Sequence, residues 1–265
     1  MTDMSDSDYW ARQRVIVTAG ASGIGLEIAR AFRDKGASVW VCDIVDDMLA
    51  AAEKEGFASR RCDVSDVDAV DAFVAEATAA MGGLDILVNN AGIAGPAAPL
   101  HELDVAAWQR TFDVNVHGQF YVARAAIPHL KIAAAAHGGA SMVCMASVAG
   151  KYAFPLRTPY AASKAAVIAM ARSLSVELGP EQIRVNAIAP GVVAGDRIRR
   201  VFTDRAATKG ISYDDMAALA LKAVSMKTMV EPDEIAALVI YLTSKAGRPV
   251  SGQVLSICGG LEYTE

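Results

Sequence analysis

Short runs of consecutive apolar and β-branched residues alternate along the chain with alanine-rich stretches whose apolar positions recur at helical spacing. The runs at 14–20 (RVIVTAG), 38–43 (SVWVCD), 57–64 (FASRRCDV), 84–92 (LDILVNNAG), 140–147 (ASMVCMAS), 183–191 (IRVNAIAPG) and 252–257 (GQVLSI) are predicted strands. Strands separated by helices pair in parallel through right-handed crossovers, which gives an open sheet covered by helices on both faces. In such sheets ligands collect at the carboxyl ends of the strands. No repeat and no low-complexity linker interrupts the pattern, so residues 1–265 are expected to form a single domain. The segment 129–140 (HLKIAAAAHGGA) is predicted to be a helix end and surface loop. Residues 194–230 form the longest interval without a strand.

Chemistry enters where predicted strands end. The first runs into TAGASGIG (18–25) with a helix to follow, the context in which a glycine-rich turn binds a phosphate: glycine lets the backbone come close, and helix amides meet the charge. The second strand ends in Asp43, about 20 residues further on, where a carboxylate can accept both hydroxyls of an adenosine ribose. Asp43 also discriminates between cofactors. A 2′-phosphate beside it meets a gross repulsion of roughly 4 kcal/mol at 4 Å and an effective dielectric of about 20. Ser22 stands where a phosphate-binding arginine could sit, IVDD after Asp43 adds acid, and no nearby base is apparent, so NAD is expected ahead of NADP.

A second pair lies in TPYAASKAAV (158–167). Thr158 is a good N-cap and Pro159 suits the first helical position, so a helix is predicted to begin at Tyr160. Tyr160 and Lys164 then lie one turn apart on one face, near the positive end of the helix dipole. Both the ammonium and the dipole favour a phenolate over a phenol. An isolated Y-x-x-x-K most often lies on a solvated helix face, since the spacing is common, and its surroundings decide.

Composition narrows the field. The 53% hydrophobic content suits strands buried on both faces, and the net charge of -5 argues against nucleic acid or an anionic membrane as partner. The start, MTDMSDSDYW, is acidic and unlike a signal peptide, and no apolar run approaches the roughly 18 residues that span a bilayer, so a cytoplasmic protein is expected. Cys42, Cys62, Cys144 and Cys258 form no C-x-x-C pair and read as small buried residues; His101, His117, His129 and His137 lack metal-ligand spacing.

From about residue 12 onward the chain resembles the short-chain dehydrogenase/reductase family. The resemblance is carried by the turn at 18–25, DV at 63–64, NNAG at 89–92, Asn115 in FDVNVHG, Ser147 in MASVAG, Tyr160 and Lys164, and PG at 190–191, in order and each at its proper strand end or helix. It implies a three-layer, doubly wound α/β Rossmann fold with a predominantly parallel seven-stranded sheet. It also implies NAD held by Gly20, Ser22, Ile24 and Gly25 at the pyrophosphate, Asp43 at the adenine ribose, and Asp63 and Val64 beside the adenine. Asn90 and Gly92 would flank the middle of the cofactor, Tyr160 and Lys164 its second ribose, and Pro190, Gly191 and Val193 the nicotinamide. Asn115, Ser147, Tyr160 and Lys164 would form a catalytic tetrad, with Tyr160 exchanging a proton with a secondary alcohol or ketone while hydride passes to or from the ring.

Three departures stand out. Ala19 replaces the first glycine of the turn, with Gly20 expected to supply the missing freedom. Gly195 replaces a threonine after PG, which predicts weaker cofactor anchoring there. Cys258 replaces a common aspartate. Sugars, polyols and hydroxy acids are the expected alcohols; the alternatives are a 3-oxoacyl thioester reductase and a catalytically idle NAD-binding regulator. In the 194–230 interval Phe202, Tyr213, Met216, Met226 and Met229 are candidates for an apolar lid or for ordinary helix burial. Arg157, Arg197, Arg199 and Arg200 are candidates for substrate contact or surface ion pairs. The resemblance implies a homotetramer, consistent with alanine-rich helices that are apolar on more than one face.

Overall fold

The computed structural model describes residues 6–261, and of Asp6, Arg197, Asp204, Arg205 and Thr208 the backbone alone. Seven parallel strands form one sheet: β1 Arg14–Thr18, β2 Ser38–Asp43, β3 Ala58–Arg61, β4 Ile86–Asn89, β5 Ala140–Met145, β6 Ile183–Pro190 and β7 Val254–Ile257. Their spatial order is β3-β2-β1-β4-β5-β6-β7. Ten α-helices are described: α1 Asp6–Trp10, α2 Gly23–Asp34, α3 Asp46–Lys54, α4 Val67–Met81, α5 Val105–Phe112, α6 Gly118–His137, α7 Thr158–Leu178, α8 Asp196–Lys209, α9 Tyr213–Leu221 and α10 Pro232–Thr243. None is long and apolar enough to cross a membrane.

All seven predicted strands are present, but most of the predicted runs overshoot at their carboxyl ends. Residues 19–20, 90–92 and 146–147 leave the sheet, because there the chain turns outward to build a site. The central strands are buried on both faces, and so their apolar runs are continuous rather than alternating. One face packs α4, α6 and α7 through Phe73, Leu130 and Val167 against Leu87, Met142 and Val185. The other packs α2 and α10 through Ile28, Phe32, Ile235 and Val239 against Val15, Val17 and Val41. Trp10 of α1 closes that layer beside Phe32, with ring centroids 5.9 Å apart.

Two local expectations are corrected. Helix α7 begins at Thr158, not Tyr160, with Arg157 in the N-cap position and no side-chain cap; Pro159 still falls in the first turn. The segment 129–140 is helical to His137, and only Gly138, left-handed at φ 84°, and Gly139 separate α6 from β5. Alanine keeps this helix continuous where a loop was expected.

The order of strands places the site. The chain moves outward from β1 to β2 and β3, then returns to lay β4 on the other side of β1. The connections after β1 and β4 therefore diverge, and a crevice opens at the carboxyl ends of these two strands.

Candidate active site

The turn after β1 is built differently from expectation. Ala19 itself adopts the left-handed conformation, φ 48°, and Gly20 does not. Left-handed alanine costs roughly 1–2 kcal/mol. Gly20 is needed for room instead, since a Cβ there would stand 2.8 Å from Val17 O and from Val41. Gly23, the first residue of α2, supplies a second left-handed step at φ 51°. At Gly25 a Cβ would come within 2.0 Å of Ala19 O and 2.8 Å of Asn90 Nδ2. Ser22 precedes α2 in extended conformation and makes no side-chain cap, so its hydroxyl does not take the first-turn amides. Ile24 packs into the layer beneath the turn.

β4 is clamped onto this turn. Thr18 Oγ1 accepts from the amides of Asn90 (2.9 Å) and Ala91 (3.0 Å), while Asn90 Nδ2 donates to Thr18 O (3.0 Å). Asp43 ends β2 almost buried, with Oδ1 accepting from the Ile44 amide at 2.8 Å. The sequence showed no base near it, but strand pairing sets Arg61 opposite Asp43 on β3, with Nε turned to Asp46 at 3.2 Å. Asp63 accepts from the Ser65 amide and hydroxyl and from Arg110 at 2.9 Å. Burial opposes its charge, but these partners outweigh burial and hold its carboxyl below the ordinary range. Val64 is buried against Gly118, where a Cβ would lie 2.7 Å from Val64 Cγ2.

The four predicted catalytic residues come from four separate segments. Asn115 sits in a π-helical turn, Asp113–His117, between α5 and α6, an insertion of the kind often found at functional sites. Its side chain ties down the segment beyond NNAG: Oδ1 accepts from Ile93 N at 2.7 Å, and Nδ2 donates to Ile93 O at 2.9 Å and Ser163 Oγ at 3.0 Å. Lys164 is buried, and its Nζ donates to Met145 O at 2.8 Å, at the end of β5. That ammonium lies 5.9 Å from the Tyr160 ring centroid, and the Arg157 guanidinium 5.8 Å from it. Ser147, two residues beyond Met145, is extended and accepts from Ala149 N at 3.2 Å.

Close backbone approaches bring these segments together. A Cβ at Gly92 would stand 3.0 Å from Lys164 Nζ and 3.2 Å from Asn115 Oδ1. At Gly150 it would stand 2.6 Å from the carbonyl carbon of Lys164, so the turn carrying Ser147 rests directly on α7. Cys144 also faces Lys164: burial pushes its thiol up to about 12, against the pull of the ammonium. Sequence reasoning missed Thr18, Gly23 and Gly150. The first two lay within the quoted turn, whereas Gly150 had no local signal.

Beyond β6, Pro190 ends the strand and Gly191 packs against Cys258, where a Cβ would lie 2.7 Å from Cys258 Cβ. Cys258 thus fills the space beside Gly191, and its Sγ accepts from Leu261 N at 3.3 Å. Val193 bridges Val230, fastening both ends of the 194–230 interval. Gly195 adopts φ 135°, ψ 178°, a conformation open essentially to glycine alone; the absence of threonine there has a backbone cause. Phe202, Met216, Tyr213 and Met229 pack on one another between α8 and α9, whereas Met226 is exposed. Arg157 donates to Ala94 O at 3.0 Å, tying the start of α7 to the 92–102 segment. Arg199 and Arg200 are exposed on α8, and the Arg197 side chain lies outside the described residues.

Comparison with known proteins decides the family. A family model described as enoyl-(acyl carrier protein) reductase matches residues 18–262. A cis-4-hydroxycyclohexanecarboxylate dehydrogenase of Sinomonas cyclohexanicum is 35% identical over 96% of this chain and 98% of its own. The chain belongs to the short-chain dehydrogenase/reductase family. A galactitol 2-dehydrogenase of Agrobacterium fabrum is 35% identical over 92% of this chain and 95% of its own. An actinorhodin polyketide ketoreductase crystallised with NADPH superposes with a TM-score of 0.88 at 32% identity, covering 96% of this chain and 99% of that one. This short-chain dehydrogenase/reductase is accordingly an oxidoreductase of CH–OH groups that uses a nicotinamide cofactor.

Proposed function

We propose that the protein is an NAD-dependent dehydrogenase of secondary alcohols in which Tyr160 is the general acid and base. One observation carries this reading: the Tyr160 ring, Lys164 Nζ and Asn115 converge beside Gly92, at the mouth of a crevice whose other end carries Asp43. The chain's residues fit a dinucleotide. Gly25 and Gly92 stand where a Cβ would strike backbone or catalytic atoms, and the first-turn amides of α2 are left for a pyrophosphate bordered by Gly20, Ser22, Ile24 and Gly25. Asp43 Oδ1 is held by its own turn, which aims the carboxylate at a ribose. Asp63 and Val64 border the adenine, Asn90 and Gly92 the middle, and Pro190, Gly191 and Val193 the nicotinamide.

When bound, the nicotinamide supplies the hydride acceptor. The chain supplies the proton chemistry. Tyr160 Oη takes the proton of the substrate hydroxyl, and in the reverse direction returns it. Lys164 sets a buried ammonium 5.9 Å from the Tyr160 ring centroid and would hold the neighbouring ribose. Ser147 Oγ donates to the substrate oxygen as charge grows there. Asn115 fixes the Ile93 backbone, and so the wall against which the substrate rests.

Asp43 supports NAD over NADP by repelling a 2′-phosphate. The relatives named for a ring-borne hydroxyl and a polyol support small polar secondary alcohols as substrates. The test is NADH formation, followed by near-ultraviolet absorbance, with cis-4-hydroxycyclohexanecarboxylate, galactitol, other polyols, sugars, hydroxy acids and aryl alcohols. Turnover with at least one, faster with NAD than with NADP, is expected. NAD binding without turnover across the panel would make the chain an idle regulator instead. Faster consumption of NADPH with a 3-oxoacyl thioester would make it a thioester reductase.

We read residues 1–265 as one catalytic domain with 194–230 as its lid, and place it in the cytoplasm as a homotetramer. Supporting assembly, α6 and α7 share an open apolar groove lined by Phe120, Ala123, Ile127, Pro128, Met170 and Leu174, with Phe120 half exposed at its edge. Light scattering on the eluting protein is expected to give four times the 27.8 kDa chain mass. Phe120→Arg is expected to lower that mass, and a monomeric wild type would refute the assignment.

A further inference from the structure

Beneath the catalytic lysine lies a buried glutamine that the mechanism above does not use. Gln119 follows Asn115 by one turn and is fully buried at the start of α6. Its Nε2 donates to Met145 O at 3.2 Å, the same oxygen that receives Lys164 Nζ at 2.8 Å. We infer that Gln119 is a positioning residue for Lys164: by sharing the Met145 carbonyl it lets the ammonium turn from the strand end toward the phenol and ribose without stranding a buried acceptor. The inference deepens the dehydrogenase reading and rests on it for the role of Lys164.

The physical argument starts from the carbonyl. Its oxygen has two lone pairs and here receives two donors. Lys164 carries three N–H groups, and Gly92 is small enough that the ammonium also faces Asn115 and the crevice. If Lys164 were the only donor to Met145 O, every movement toward substrate would leave a buried carbonyl unpaired, and the ammonium would be held at the strand end. With Gln119 present the oxygen keeps a partner throughout.

The position also bears a cost that an apolar residue would avoid. Gln119 Oε1 and Asn89 Oδ1 are buried acceptors that meet no donor among the described residues. The two residues are joined, Asn89 Nδ2 donating to Gln119 O at 2.7 Å. A leucine or methionine would fill the same space without an unmatched oxygen. What the amide adds is its donor, and that donor is spent on the carbonyl that holds the lysine. Groups near Lys164 include the Tyr160 ring on its own helix, the Cys144 thiol and Met145 carbonyl from β5, and Asn115 from the π-turn across Gly92, while the Arg157 guanidinium lies over the Tyr160 ring at 5.8 Å from its centroid. Gln119 alters the balance among these without touching substrate.

The test is Gln119→Met, close in shape and lacking both amide atoms, studied in the full chain beside wild type. Four measurements are made: thermal unfolding, NAD affinity by fluorescence, ultraviolet titration of the Tyr160 phenol as the difference from a matched Tyr160→Phe protein, and turnover on the fastest alcohol of the panel. Expected are turnover lowered about tenfold, NAD affinity lowered severalfold as Lys164 reaches the ribose less, and a phenol titration moved by about half a unit or more, with unfolding at or above the wild-type temperature. An unmoved titration overturns the inference, and so does a loss of thermal stability with titration and turnover unchanged, since that is a purely structural role. Should Tyr160→Phe keep its turnover, the acid–base reading falls by itself. The difference titration, which needs no substrate, still decides whether Gln119 acts on the lysine and the phenol.

Discussion

Tyr160→Phe is expected to lower turnover by roughly 10²- to 10⁴-fold while NAD affinity stays within a few-fold. The substitution removes one oxygen and leaves the ring, so the contacts of that ring with Lys164 and Arg157 at 5.9 and 5.8 Å survive. Nothing that holds the dinucleotide end of the crevice is disturbed: Asp43, Thr18 and Asn90 are fixed by their own hydrogen bonds. Only proton exchange is lost. Steady-state rates and a direct binding titration on the same preparation check this, and a variant that keeps a substantial share of its turnover removes Tyr160 from the role assigned to it.

Asp43→Ala is expected to shift the ratio of NAD to NADP efficiency by about thirtyfold toward NADP, roughly half in free-energy terms of the gross repulsion between unit charges 4 Å apart. The reduction allows for screening at the crevice edge. Arg61 adds to the shift. It stands opposite Asp43 on β3 with its guanidinium facing Asp46, a cation one strand away from where an incoming 2′-phosphate would sit. Measured kcat/KM with both cofactors decides the matter; an unchanged ratio would show that the adenine ribose lies elsewhere.

How much of this was legible in the sequence depends on the range of the interaction concerned. The buried strands announced themselves because parallel strands covered on both faces must be continuously apolar, as Val15 to Val17 and Leu87 to Val88 are. Tyr160 and Lys164 could be placed on one helix face from their spacing alone. The helix start was missed by two residues because Arg157, a poor cap, occupies the N-cap position without a side-chain cap. The turn at 18–25 was located, but its mechanics were assigned to the wrong residue. Local propensity favours glycine for left-handed backbone, and only tertiary packing against Val17 and Val41 explains why Gly20 is spent on space and Ala19 bears the strain. Arg61 beside Asp43, Gly150 against α7 and Gln119 beneath Lys164 depend on strand register and on which backbones touch. No window of sequence contains those relations.

The 194–230 interval has an interior of its own. Phe202, Ala206 and Met216 are buried among residues of α8, α9 and their flanks, separately from the two layers that cover the sheet, and both ends are stitched at Val193 and Val230. Such a segment behaves as a cassette. Exchanging it for the corresponding piece of another family member would carry the interior around Phe202 and Met216 along, but the seam at Val224, which packs on Val148, Ala189, Cys258 and Leu261 and bridges Leu261, would have to be matched on both sides.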